Sequence, residues 1–388
     1  MIILDRPYVS AFMQHSIKEL GIPVLDNSGD ADLLTDEELK LLDEEAFLNE
    51  VKSQTQVKLY CNSENPINWI SKNLGFTEIP QKIELFKDKV LFRKLLKGMY
   101  PDFYFKEVAF EKLKDIDVSS LPKPLITKPA VGFFSMGVYK VDCDYEWPDV
   151  IRKIGEEMEQ VKGLYPNEVM DGSRFIIETC IEGDEFAVDA YYNEEGKPVI
   201  LNIFQHLFSS DKDVSDRLYI TSKNIMGDYL ERVYELLDSI GKIGNISNFP
   251  VHMEIRVDSN GLVVPIEINP MRFAGWCTTD IAYYAYGINV YEFYFHQKEP
   301  DWKHILSSAE DKLTCLFLAD MPKNVEGLVE GFDYDAFSQK LGCVLEMRKI
   351  DYRRYPVFAF AFVRVADAEE ELRKLLQMDL REFIRLRA

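Results

Sequence analysis

Glu254, Glu267 and Asn269 stand in two apolar stretches, "HMEIRVD" (252–258) and "VVPIEINPMRF" (263–273). Alternate residues of a strand share a face, so Glu267 and Asn269 point the same way, with Arg272 close behind. "SNG" separates the stretches, and Asn-Gly is a strong signal for a tight hairpin. A two-residue turn at Asn260–Gly261 sets Glu254 opposite Glu267 and His252 opposite Asn269. Met253, Ile255, Ile266 and Ile268 then occupy the other face. Carboxylates directly opposite on a sheet destabilise it by ~0.2–1 kcal/mol. A divalent cation between them reverses that sign, and oxygen-only ligands favour Mg²⁺ or Mn²⁺ over zinc. The competing reading is a solvated acidic hairpin face, and the pattern alone leaves both open.

Two further stretches carry chemistry. "LITKPAVGFFSMGVYKV" (125–141) places Lys128 at a strand end, before a loop containing Gly132, Ser135 and Gly137. Such a loop lets backbone N–H groups approach phosphate, and the lysine adds a point charge. It is no Walker A loop, and alone it reads equally as an ordinary hairpin with a surface lysine. Lys128 is expected in an open site, where its removal costs little stability. "FIIETCIEGDEFAVD" (175–189) is a strand, a turn around Gly183 and a second strand, flanked by Glu178 and Glu185. A strand edge of this kind can offer backbone groups to an adenine, and a carboxylate can accept from ribose hydroxyls.

These residues need strands to hold them. "FIIETCI", "EFAVDAYY", "PVILNIF", "RLYIT", "HMEIRVD" and "LVVPIEI" all read as strands, with "MGDYLERVYELLDSIG" an amphipathic helix among them. Before them, "MIIL", "AFMQHSIKELG", "IPVLD", "VKLYCN" and "NPINWISKNLG" alternate strand and helix, a small α/β layer without a dinucleotide GxGxxG. The run "DADLLTDEELKLLDEEAFLNEV" (30–51) reads as a solvated helix face. After residue 305 come a strand, "YPVFAFAFVRV", and a helix, "AEEELRKLLQMDLREFIRL". The fold class expected is α/β (α+β) in three parts: 1–85, 86–304 and a C-terminal α+β extension, 305–388.

The chain of 388 residues carries 66 acidic against 45 basic side chains, a net charge of −21. That field repels polyanions, so nucleic acid and anionic membrane are poor partners. An anionic small molecule binds only where local Lys and Arg outweigh it. Six scattered cysteines without a CxxC pair point to reduced thiols, and five histidines form no metal-ligand spacing. Asp5 and Arg6 interrupt the apolar start, and no stretch is long enough to span a bilayer, so a cytoplasmic protein is expected.

The order of the pieces is more specific than any of them. A lysine in "KDKVLFRKLL", a lysine before a Gly loop, "ETCIEGDEF" and then "HMEIRV…IEIN" together resemble the ATP-grasp superfamily of carboxylate–amine ligases. The resemblance covers roughly residues 86–300 and implies an ATP-grasp fold with a small N-terminal domain. It implies that Lys89 and Lys128 contact nucleotide phosphates and that the 132–137 loop closes over them. It likewise implies that Glu178 with the Cys180–Ile181 backbone holds the adenine, and Glu185 the ribose. Glu254, Glu267 and Asn269 would bind Mg²⁺ (or Mn²⁺), and Arg272 would face the transferred phosphoryl group. Many members place that arginine directly after "EINP". Here Met271 intervenes, so either the loop adjusts or the role falls elsewhere, with Arg217 the alternative.

The implied reaction turns a substrate carboxylate into an acyl phosphate, releasing ADP, before an amine (or a thiol) displaces phosphate. Positioning and cations do that work without a protein nucleophile. His206, Arg217 and Trp276 are the residues expected to meet the substrate, against the plain reading of packed core. A small-molecule kinase and a non-catalytic nucleotide-binding module are the alternatives. The identity of the acid and amine and the oligomeric state, a homo-oligomer included, are left open.

Overall fold

The computed structural model describes residues 1–132, 136–161, 171–209, 216–310, 312–322, 325, 329–366 and 368–386. Ser135 lies outside them. The N-terminal part is a parallel sheet of β1 (Ile2–Leu4), β2 (Val24–Asp26) and β3 (Tyr60–Cys61), ordered β2-β1-β3. The helix between β1 and β2, Ala11–Glu19, starts where Ser10 accepts from Met13 N. It stops before Gly21, whose φ of 62° ends the helical path.

An antiparallel sheet follows, of β4 (Phe105–Ala109), β5 (Leu125–Val131), β6 (Tyr139–Val141) and β7 (Asp171–Thr179), ordered β4-β7-β5-β6. Val108, Leu125, Trp147, Ile154 and Phe175 give it a small core of its own. The largest sheet contains β8 (Asp184–Tyr192), β9 (Pro198–Leu207), β10 (Leu218–Thr221), β11 (Phe249–Val257), β12 (Val263–Pro270) and β13 (Leu313–Asp320). β14 (Val329–Phe332) pairs outside it with β17 (Ile384–Leu386), whereas β15 (Cys343–Lys349) and β16 (Val357–Val365) complete its order β12-β11-β8-β9-β10-β13-β16-β15. The strands after residue 305 thus extend the same sheet that carries the candidate metal strands. The main core likewise runs from Ile3 through Val251 to Phe358.

A long helix, Lys223–Gly244, covers this sheet. Met226, Val233, Leu237 and Ile240 fall on one side of it and are buried. Ser222 caps its first turn, and Asn245 in the left-handed region closes it.

The structure corrects three sequence expectations. In the acidic run only Glu44–Ser53 is helical, because Asp36 and Asp43 bond to nearby backbone N–H groups instead. The C-terminal stretch is helical only over Ala368–Leu376, where Asp379 caps a short 3₁₀ turn that leads into β17. The third is the Asn-Gly turn, whose two residues do not close the hairpin alone. Asp258 Oδ1 accepts from Asn260 N and Leu262 N, both at 2.8 Å, which draws the loop out until Val257 pairs with Val263. That shifts the register by one residue.

A β-bulge shifts it back. Ile255 pairs with Pro265, but Glu254 pairs with Glu267, leaving Ile266 extra. Pro265 has no N–H to lose there, and the carbonyls of Pro265 and Ile266 accept from Arg93 at 2.7 and 3.1 Å. Two errors in the simple hairpin reading cancel, and the expected Glu254–Glu267 and His252–Asn269 pairs stand.

The turn from β7 into β8 has its own constraint. Gly183 has φ of 111°, and a Cβ there would lie 2.0 Å from Val257 O. Gly183→Ala is therefore expected to destabilise the protein by at least ~2 kcal/mol, read as a lower denaturant midpoint. An unchanged midpoint would show that this turn and the end of β11 do not pack as closely as described.

Candidate active site

The helix Lys89–Leu96 begins the site. Asp88 accepts from Val90 N and Leu91 N, fixing the first turn so that Lys89 and Arg93 project together, one helical turn apart. Lys89 Nζ lies 2.8 Å from Glu267 Oε2 and 3.4 Å from the Gly132 carbonyl. Arg93 grips Glu178 with Nε at 2.6 Å and Nη2 at 3.2 Å. Lys128, on β5, reaches the same carboxylate at 2.8 Å. Glu178 is 2% exposed and Lys128 5%. Burial opposes ionisation of Glu178, but Arg93 and Lys128 overcome it and hold its carboxyl at about 2. Lys128 is thus a buried pair member rather than a side chain in an open site, and its removal is expected to cost stability.

The facing pair on β11 and β12 is asymmetric. Burial, then Glu267 and Glu185, push the Glu254 carboxyl well above the usual range. Burial works against Glu267 too, but Lys89 and Lys128 hold it well below that range. Burial and the facing charge thus raise one carboxyl of the pair, while the neighbouring lysines lower the other. Asn269 Nδ2 donates to Glu254 Oε1 at 3.2 Å and reaches Glu267 Oε1 at 3.5 Å. Two carboxylates and an amide fit an oxygen-seeking divalent cation once Asn269 turns its Oδ1 inward. Among the described residues no three His, Cys, Asp or Glu side chains cluster for a metal. An ion here would complete its shell with water or phosphate oxygens, which suits Mg²⁺.

Met271 shapes the chain before Arg272. Its φ of 67° places it in the left-handed region, and its carbonyl accepts from Cys61 N at 2.8 Å. The extra residue is absorbed there, and Arg272 turns into the cluster, where Nη2 lies 3.3 Å from Glu64 Oε1. Arg217 goes elsewhere: its Nη1 donates to the carbonyls of Leu376 and Met378, tying down the C-terminal segment. The arginine alternative at Arg217 is corrected by this engagement.

Other expected residues fall into distinct surroundings. His206 Nδ1 lies 3.2 Å from Glu185 Oε1, and its ring stacks on Tyr219 at 4.4 Å. Burial opposes Glu185, but bonds from His206 and Arg256 lower its pKa. Trp276 packs among Tyr8, Tyr355 and Phe360. Gly132 presents its carbonyl to Lys87 and Lys89, and Gly137 gives its N–H to Glu157 at 2.8 Å. The expected phosphate cradle of amides is therefore not formed at Gly137, whose N–H anchors the loop to a helix. Cys180 N is likewise taken, by Pro124 O at 3.0 Å. The Ile181 N–H finds no acceptor among the described residues, while its carbonyl accepts from Arg256 at 2.9 Å.

Glu64, Lys87, Arg93 and Arg256 were not singled out in the sequence. Lys87 stands two positions before Lys89, a weak cue; Glu64 and Arg256 had none. With them the site gathers five cations (Lys87, Lys89, Arg93, Lys128, Arg272) around four carboxylates (Glu64, Glu178, Glu254, Glu267), a positive locus in a chain of net charge −21.

Comparison with known proteins bears on the fold. Residues 121–280 match the sequence family described as the ATP-grasp domain. The fold is similar to an L-amino acid ligase from Bacillus licheniformis, with TM-score 0.69, 18% identity, and 99% of this chain and 97% of that chain covered. It is also similar to an N5-carboxyaminoimidazole ribonucleotide synthetase from Thermotoga maritima (TM-score 0.65, 16% identity, 99% and 98% covered). A biotin carboxylase from Campylobacter jejuni, in a βγ-ATP complex, gives TM-score 0.66 at 13% identity over 96% and 89%. No curated protein matches the chain. The architecture is the ATP-grasp fold.

Proposed function

We propose, from an ATP-grasp fold whose cations converge on a facing pair of glutamates, that this protein is an ATP-dependent ligase. It joins a small-molecule carboxylate to an amine (or thiol), with release of ADP and phosphate. The observation that carries the reading is the set of five cations gathered on Glu64, Glu178 and Glu267, beside Glu254. A polyanionic phosphate chain is the ligand such a locus suits inside an acidic protein. The names of the similar structures, an L-amino acid ligase, a biotin carboxylase and an N5-carboxyaminoimidazole ribonucleotide synthetase, support the reaction class.

In this reading the adenine lies at the β7–β8 connection, where Ile181 N–H is available, with Glu185 near the ribose. Glu254, Glu267 and Asn269 would hold a divalent cation, and Lys89, beside Glu267, is placed to meet phosphate. Bound there, Mg²⁺ would neutralise charge on the transferring phosphoryl group. Arg272 faces the γ-phosphate, and Lys128 holds a non-bridging oxygen while Arg93 keeps Glu178 in place. No side chain acts as nucleophile; the substrate carboxylate does, and the protein orients and stabilises.

A screen of amino acids and small carboxylates in pairs tests the reaction class. With a correct pair, ADP and phosphate are expected in equal amounts, and hydroxylamine is expected to trap the activated acid as a hydroxamate. A stable phosphorylated product without free phosphate would establish a kinase instead. Tight MgATP binding with no turnover on any pair would favour a regulatory module.

A further inference from the structure

Residues of the N-terminal part touch the proposed phosphoryl site at Glu64. Its loop follows β3 and is pinned on both sides. Asn62 Nδ2 donates to Asp5 O at 2.6 Å while Asp5 N donates to Asn62 Oδ1 at 2.8 Å, and Asn65 Nδ2 donates to Arg6 O at 2.9 Å. The Glu64 carbonyl accepts from Ile67 N at 3.0 Å, starting the next helix. The Glu64 side chain, 10% exposed, is therefore carried on a fixed arm. Its two oxygens go to different elements: Oε2 to Lys87 Nζ and Oε1 to Arg272 Nη2 at 3.3 Å. Lys87 also donates to the Gly132 carbonyl at 3.1 Å, where the Gly loop begins. Beside this, the backbone bond from Cys61 N to Met271 O ties the same two segments a second time.

We infer that Glu64 is a positioning residue, by which the N-terminal part sets Arg272 for the γ-phosphate. This rests on the nucleotide reading above. A guanidinium has five donors; Arg272 uses Nη2 for Glu64 and Nη1 for Phe273 O, so the tether fixes its plane and leaves other N–H groups for phosphate. Without Glu64, a buried ammonium and a half-buried guanidinium lose their shared counter-charge. They then relax by turning towards solvent or by loss of the Lys87 proton, so deleting the carboxylate does not simply add positive charge to the site.

The test compares MgATP and MgADP affinity by titration calorimetry in wild type, Glu64→Gln, Glu64→Asp, Arg272→Ala and the Glu64→Gln/Arg272→Ala double variant. Glu64→Gln is expected to reduce the preference for MgATP over MgADP about tenfold while MgADP affinity stays within about twofold, the size of one charged hydrogen bond at the γ-phosphate. Glu64→Asp, with its charge kept on a shorter arm, recovers part of the preference. The double variant shows no further loss beyond Arg272→Ala, because both changes act through one guanidinium. Three results overturn the inference: an unchanged or larger preference in Glu64→Gln, additive losses in the double variant, or equal weakening of both nucleotides with a lower melting temperature. The first and third leave the nucleotide reading intact. A wild-type protein that binds neither nucleotide overturns both.

Discussion

Glu254→Gln is expected to abolish Mg²⁺-dependent ADP release while leaving the nucleotide-free protein as stable, or more stable, at pH 8. The Glu254 carboxyl is pushed well above its ordinary 4.5 by burial and by Glu267. Between 4.5 and its folded-state value the native protein holds a proton that the unfolded chain has lost, so stability falls as pH rises through that window. The amide of Gln keeps the shape and removes that penalty; the melting temperature of the variant should therefore decline less between pH 5 and 8 than that of the wild type. Turnover responds in the other direction. A cation without one of its two carboxylates stabilises the transferring phosphoryl group poorly, and a loss of at least ~10²–10³-fold follows. Glu267 is the less suitable target for this comparison, because its ion pair with Lys89 at 2.8 Å would be lost together with the metal role. A Glu254→Gln protein that still releases ADP under Mg²⁺ would remove the metal site, and most of the case for a ligase.

Glu178→Gln is expected to have the largest effect on stability, about 3–5 kcal/mol, because it leaves Arg93 and Lys128 buried without their shared carboxylate. The same residue predicts an acid limb. Its carboxyl sits at about 2 when folded against 4.5 when free. The stabilisation is present above 4.5 and is lost as pH falls from there towards 2, since the unfolded chain takes up the proton first. Wild-type protein should lose stability through that window, and Glu178→Gln should lose less of it. Arg93 also carries the bulge carbonyls of Pro265 and Ile266, so loosening its guanidinium disturbs the register that places Glu267. MgATP affinity is then expected to fall along with the denaturant midpoint. A variant of wild-type stability would mean that this buried triad does not exist in solution.

The sequence carried much of the architecture. Alternation in "HMEIRVD" and "VVPIEIN" is a local property of the strands, and it was enough to put Glu254, Glu267 and Asn269 on one face. The serial order of a lysine helix, a Gly loop, a two-strand clamp and the acidic hairpin was enough for the ATP-grasp fold. Strand and helix types were legible because apolar periodicity reports which face is buried, whatever it is buried against. No helix among the described residues is long and apolar enough to cross a membrane, in keeping with the scattered charges along the chain.

What tertiary structure alone decided is how each charge is balanced. Nothing in "CNSENP" marks Glu64, which meets Lys87 and Arg272 across 23 and 208 positions only because β3 ends beside Met271. Lys128 looked like a free lysine because its partner Glu178 lies on a neighbouring strand, joined through a pairing that local pattern does not encode. Arg272, with Arg217 as its alternative, could not be placed from the chain alone; the left-handed turn at Met271 turns Arg272 into the cluster, and C-terminal carbonyls engage Arg217. The hairpin register survived because Asp258 and the Pro265–Ile266 bulge made opposite shifts of one residue. Side-chain type and alternation are local and can be read along the chain. Coulomb energy and burial depend on distance through space, and for these residues that distance is set by elements far apart in sequence.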